Sequence, residues 1–279
     1  MNEGKTVKVV FSIRRFIPEK DSAPHYENYD VDVEPGMTIL DSLHQIKERV
    51  DSTLSWRFSC RMGVCGSCAM LINGRPALAC NTQVLDISNT AITLAPLPNF
   101  DIVRDLVPDL APLFKKHIEI KPFIVGPEED TGEKELFGEY IQTPEELTQY
   151  LQFTYCIKCG ACMAACPTFA TDPDYNGPQP LAQAQRYNSD TRDAGFEERK
   201  KAVGGAHGAF RCHYAGECSN VCPKGVDPAR AIQLLKRSLV LDYLKLRKDT
   251  GRASIKGAPE NATRREEIPD PPPFTVEQK

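Results

Sequence analysis

Residues 156–167 read Cys-Ile-Lys-Cys-Gly-Ala-Cys-Met-Ala-Ala-Cys-Pro. Four thiols at steps of three, three and four, closed by a proline, follow the spacing of a loop wrapped around an iron–sulfur cluster. The rest of the chain agrees with metal rather than disulfides. There are eleven cysteines, an odd count, and they bunch into three groups at 60–80, 156–166 and 212–222. The N-terminus, MNEGKTVKVVFSIRRF, has no apolar core of the length a secretory signal needs, so the chain is expected on the cytoplasmic side, where thiols stay reduced. Hydrophobic residues make up 41% and charged residues 26%, a globular composition. No run approaches the roughly 18 apolar residues of a membrane-spanning helix. A formal charge of −4 argues against nucleic acid as a partner.

In two-cluster ferredoxins the fourth cysteine of such a run ligates the other cluster, so a second run is expected downstream. Cys212, Cys218, Cys222 and Pro223 stand in that register, but its second cysteine is replaced by Ala215. The resulting sorting assigns Cys156, Cys159, Cys162 and Cys222 to a [4Fe–4S] cluster. Cys166, Cys212 and Cys218 remain, and three thiolates hold a fourth iron poorly, so [3Fe–4S] is expected there. The alternative is a four-iron cluster with water or another ligand at the open iron.

Cys60, Cys65, Cys68 and Cys80 carry the x4, x2 spacing that holds [2Fe–2S] in plant-type ferredoxins, with Gly63 and Gly66 to let the loop backbone approach the sulfides. A zinc site is the competing reading, but zinc motifs usually pair two Cys-x2-Cys units or join one to a His pair. Four, four and three ligands account for all eleven cysteines.

Around these groups the chain reads as two differently built parts. Residues 6–14 and 28–34 alternate as half-buried strands. Thr38-x-x-Asp41 opens a helix carrying Ile39, Leu43, Ile46 and Val50 at helical spacing. Asn73-Gly74 predicts a hairpin after a strand at 69–72, and 91–94 supplies a further strand. Pro96 and Pro98 end this unit. Thr143-Pro144 and Asp227-Pro228 then start helices, the second with Ile232, Leu235, Leu239 and Tyr243 on one face. From about residue 251 the chain is proline-rich and aperiodic, and an extended or disordered tail is expected.

The stretches RFSCRMGVCGSC, ALAC, CIKCGACMAACPTF and RCHYAGECSNVCPKGVDP and the helix AIQLLK resemble the iron–sulfur subunit of succinate:quinone and quinol:fumarate oxidoreductases, over about residues 5–248. The resemblance implies an α+β fold, with an N-terminal β-grasp plant-type ferredoxin domain (1–105), an α-helical bacterial-ferredoxin-like domain (106–250) and the tail (251–279). It implies a partner flavoprotein subunit carrying FAD, membrane-anchor subunits with or without haem, and a menaquinone or ubiquinone at the membrane interface. It places the subunit peripherally on the cytoplasmic face of the cell membrane. Electrons would run FAD, [2Fe–2S], [4Fe–4S], [3Fe–4S], quinone during succinate oxidation in the tricarboxylic acid cycle and respiratory chain, and in reverse in fumarate reductases. Dicarboxylate chemistry belongs to the flavoprotein. Many members have Asp at the position of Cys68, so this chain's first cluster is all-thiolate.

By motif position Pro167, Thr168, His213 and Lys236 correspond to residues near the quinone. From the residues alone, Pro167 serves equally to end the cluster loop. His213 either donates to a cluster sulfur or polarises a quinone carbonyl, and Lys236 is either a quinone neighbour or a solvated charge. The ubiquinone-reducing members carry a tryptophan shortly after the proline, where this chain has FATDPDY, which leans towards a menaquinone-type site. CGACMAACPTF, QRYNSDTRD and IQTPEEL look closer to the fumarate reductase-like members. The rival readings are a free-standing soluble carrier with several clusters and an enzyme whose three-thiolate cluster binds substrate directly.

Overall fold

The computed structural model describes residues 6–126 and 142–247; the expected tail lies outside the described residues. Strict alternation builds the first hairpin. β1 (Val7–Arg15) runs antiparallel to β2 (His25–Val33), and Val9, Phe11 and Ile13 of β1 are fully buried on one face. Helix α1 (Ile39–Arg49) starts at a Thr38–Asp41 capping box and covers that face with Ile39, Leu40, Leu43 and Ile46. Val50, expected on the same stripe, is its C-cap and is exposed, because the helix ends one residue earlier.

β3 (Ala69–Ile72) and β4 (Arg75–Leu78) form the Asn73-Gly74 hairpin, in which both turn residues have positive φ (48° and 78°). A short helix α2 (Val84–Ile87) leads to β5 (Ala91–Ala95), which inserts between the hairpins, parallel to β1 and antiparallel to β3. The sheet order is β2-β1-β5-β3-β4, with α1 packed across it: a β-grasp arrangement. A small antiparallel ribbon of β6 (Ile102–Arg104) and β7 (Val107–Pro108), too short to show a period in the sequence, follows. It is tied back to the sheet by Asp105, which accepts from Arg15 Nε, Phe16 N–H and Ser55 N–H at 2.9–3.0 Å.

The second part is helical. Helix α3 (Ala111–Glu119) precedes α4 (Pro144–Thr154), which starts at a Thr143–Glu146 capping box. The one-turn helices α5 (Ala161–Ala164) and α6 (Pro167–Thr171) follow, then α7 (Pro178–Asn188), α8 (Phe196–Val203), another one-turn helix α9 (Glu217–Asn220) and α10 (Pro228–Tyr243). Helix α7 is buried along its first eight residues, Pro178–Gln185, and packs against α10 and α4. On α10, Ile232, Leu235 and Leu239 face the core as expected. Tyr243 does not; it sits in the last turn, 86% exposed. No helix among the described residues is long and apolar enough to cross a membrane.

Candidate metal centres

The loop between α1 and β3 turns through positive φ at Arg61, Gly63 and Gly66 (59°, 69° and 76°), which points successive amides inward. Cys60 Sγ accepts from the N–H groups of Met62, Val64 and Cys65 at 3.3–3.5 Å. Gly63 N–H donates to Cys80 Sγ at 3.2 Å, Ser67 N–H to Cys65 Sγ and Cys80 N–H to Cys68 Sγ at 3.5 Å. Cys80 arrives on a 3-10 turn (Ala79–Asn81) at the end of the β3–β4 hairpin. Cys60 and Cys65 are half-buried, while Cys68 and Cys80 are buried in the sheet core. The N–H of Met62 and its neighbours draw the Cys60 thiol down to about 6; burial pushes Cys68 up to about 12. Amides converging on sulfur stabilise thiolate charge, and the buried Cys68 thiol needs positive iron to ionise. The donor set fits a four-thiolate [2Fe–2S] cluster.

The second group gathers from three elements. Cys156 and Cys159 lie in the turn after α4, Cys162 on α5, and Cys222 beyond α9; all four line one cavity with Gln179, Ala182 and Val226. Burial raises Cys156 and Cys162 and pushes Cys159 up to about 11, so as free thiols they would stay neutral. Four thiols facing a mainly apolar cavity fit a group that supplies its own positive charge. Two polar residues that the motif reading missed sit behind them. Gln179 on α7 directs Nε2 to Cys156 Sγ (3.9 Å) and lies 3.2 Å from Nδ1 of His117 on α3.

The third group is Cys166, Cys212 and Cys218, around a separate cavity shared with Pro167, Thr168, Tyr175, Ala215 and Ile232. Cys166 caps α6 and takes Phe169 N–H at 3.4 Å; Cys212 takes Tyr214 N–H at 3.4 Å. Burial raises Cys166 and lifts Cys218 to about 11. Ala215, at the place of a missing fourth thiol, offers this cavity only a methyl group; the donor set therefore fits three irons.

Helices α5 and α9 repeat one design. Each follows a left-handed glycine (Gly160, φ 86°; Gly216, φ 80°), carries a cysteine at its second position, and sends the cysteine four residues later into the other helix's cavity. The quinone candidates all lie around the third group. Thr168 is buried and Pro167 exposed at its edge; exposed His213 follows Cys212. Lys236 on α10 donates to the Cys212 carbonyl at 2.8 Å, so it is a tether for that loop and not a free charge.

The first thiol loop touches the second thiol run. A Cβ added to Gly66 would lie 2.8 Å from Cys159 Cβ, so the first loop rests directly on the second run. Arg75 donates to Asn220 O at 2.8 Å across the same junction.

A model of a 2Fe-2S iron-sulfur cluster binding domain matches residues 10–115, and one of a 4Fe-4S dicluster domain matches residues 152–226. The fumarate reductase iron-sulfur subunit of Mycobacterium tuberculosis is 44% identical over 238 residues, 85% of this chain and 95% of the relative. That of Haemophilus influenzae is 42% identical over 239 residues, covering 83% and 93%. The chain belongs to the succinate dehydrogenase/fumarate reductase iron–sulfur subunit family. As a subunit of this family it serves electron transfer within an oxidoreductase complex. A chain of the Mycobacterium smegmatis Sdh1 complex in the apo form superimposes with a TM-score of 0.75 at 25% identity, over 86% of this subunit and 98% of that chain. The shared fold covers both the β-grasp and the helical part.

Proposed function

We propose that this subunit is a three-centre conductor between a FAD-bearing flavoprotein and a quinone held by a membrane-anchor subunit, at the cytoplasmic face of the membrane. The observation that carries the reading is the thiol partition: four around the first loop, four in one cavity and three in another, with the first loop resting on the second run. Bound iron–sulfur clusters supply one-electron redox chemistry there. The protein holds the thiolates, donates amides to their sulfurs and excludes water from the inner two cavities, and these are the levers that set potential. In this reading residues 1–105 face the flavoprotein, and the helical part, 106–250, presents the three-thiol centre to the anchor. Pro167, Thr168 and His213 form the rim nearest the quinone, while Lys236 holds the Cys212 loop in place.

Ala215 removes one thiolate charge from the third centre, so its reduced form is less disfavoured. Anaerobic purification of the complex should return about nine irons with matching sulfide (two, four and three). EPR-monitored titration should reduce the three-iron centre at a higher potential than the four-iron centre. Zinc in place of iron, or the reverse order of potentials, would remove the reading. Co-purification with a flavoprotein and a hydrophobic anchor tests the partners; a monodisperse free subunit favours a soluble carrier.

Our primary reading of the physiological direction is succinate oxidation. The relatives named fumarate reductase favour a second reading, quinol-driven fumarate reduction. Comparing the rates of the purified complex with succinate plus quinone and with quinol plus fumarate decides between them.

A further inference from the structure

A buried hydroxyl faces the third thiol group without a partner. Tyr175 is 0% exposed, and its backbone is pinned by N–H donation to the Asp172 carbonyl (3.1 Å) and carboxylate (3.2 Å). Its ring packs in the helical core and lines the same cavity as Cys166, Cys212 and Cys218. Its hydroxyl meets no hydrogen-bond partner. An unmet buried hydroxyl is destabilising, and phenylalanine would fill the same space without that cost. A phenol brings one O–H donor to this cavity, and the lining turns the sulfurs of Cys166, Cys212 and Cys218 towards the same space.

We propose that Tyr175 donates a hydrogen bond to a sulfur of the third centre, beside Cys212, and so raises the reduction potential of that centre. The inference rests on reading the three-thiol site as an iron–sulfur cluster. The electron added on reduction resides on the cluster, and the hydrogen stays on the phenol oxygen; no proton or bond is exchanged. A donor facing sulfur favours the more negative, reduced state, as charge-assisted hydrogen bonds do. The backbone donors from Phe169 and Tyr214 act in the same sense but cannot be removed by mutation. Tyr175 can be, by deleting one oxygen. It is a positioning and tuning residue, and it lies outside the cysteine motifs.

The test uses the intact purified complex, wild type and Tyr175→Phe. In the variant the three-iron centre should become about tenfold harder to reduce, a fall of about 59 mV for one electron, with the other two midpoints unchanged. After exchange into heavy water, electron–nuclear double resonance on the oxidised third centre should show one deuteron coupling that the variant lacks. In wild-type protein with tyrosine labelled by 13C at Cζ, a 13C coupling to that centre is expected, which serves if the variant fails to assemble. A normal three-iron signal with identical midpoint and couplings in the variant, or no 13C coupling in labelled wild type, overturns the role of Tyr175 alone. Absence of any three-iron signal from the wild type overturns the third-centre reading and this inference with it.

Discussion

At the scale of single residues, burial sets the protonation behaviour. His117 packs behind Cys156 through Gln179, and burial lowers its pKa to about 4. An unfolded histidine titrates near 6.5, so between the two values the unfolded chain binds the extra proton and stability falls as pH falls. Going from pH 7 to 5.5 should cost about 1 kcal/mol through this group. Denaturant midpoints at the two pH values should show that loss, and His117→Gln should lack it. Ala215 is the second informative residue. Ala215→Cys restores the missing thiol of the repeated run, so a four-iron centre should replace the three-iron one. EPR should then lose the oxidised three-iron signal, and the midpoint of that centre should drop.

Elements act here mainly by bringing loops together. Helices α5, α6 and α9 are single turns of four or five residues, too short to persist unaided. Left-handed glycines start α5 and α9, and proline with a cysteine cap starts α6. Beyond α6, Asp172 accepts from Arg211 Nε at 2.9 Å and pairs with His207 Nδ1 at 3.0 Å, binding the Cys166 helix to the segment that delivers Cys212. The contact between the first loop and the second run depends on Gly66. Gly66→Ala would place a Cβ 2.8 Å from Cys159 Cβ on a backbone at φ 76°. Strain of about 1–2 kcal/mol and a displaced loop are expected. The magnetic coupling between the reduced first and second centres should weaken, read by EPR line shape against an unchanged iron content.

For the molecule as a whole, the two parts differ in what supports them. The β-grasp part has a large apolar core running from Val9 to Leu106, joined by Ala164 of the helical part, in which Cys68 and Cys80 are only two of many buried side chains. In the helical part the second and third apolar clusters pack against the thiols of Cys162, Cys166 and Cys212, and of Cys156 and Cys222. Cluster binding there doubles as folding energy. Removing iron from the complex should abolish hydrogen-exchange protection across 156–172 and 209–226, while the β1–β2–β5 strands keep most of theirs. Loss of both parts together would show that the sheet also depends on metal.

The cysteine spacings by themselves set the expectation of cluster types, crossed pairing and a three-ligand site, because the steps within each run match loops that wrap a cluster. Alternation and caps likewise made β1, β2, α1, the β3–β4 hairpin and α10 readable, since each rests on a local period or a local hydrogen bond. Tertiary structure alone decided the rest. The parallel β1–β5 pairing joins segments some eighty residues apart and has no local signature. Helix α7 opens with Pro178 and Pro180 and buries its polar Gln179, Gln183 and Gln185, so neither period nor propensity announces it. Gln179 meets the Cys156 thiol, His117 meets Gln179 and Tyr175 lines the third cavity only once the helices are packed. Their neighbours in space are far away in sequence, and burial is what turns an ordinary side chain into a donor facing sulfur.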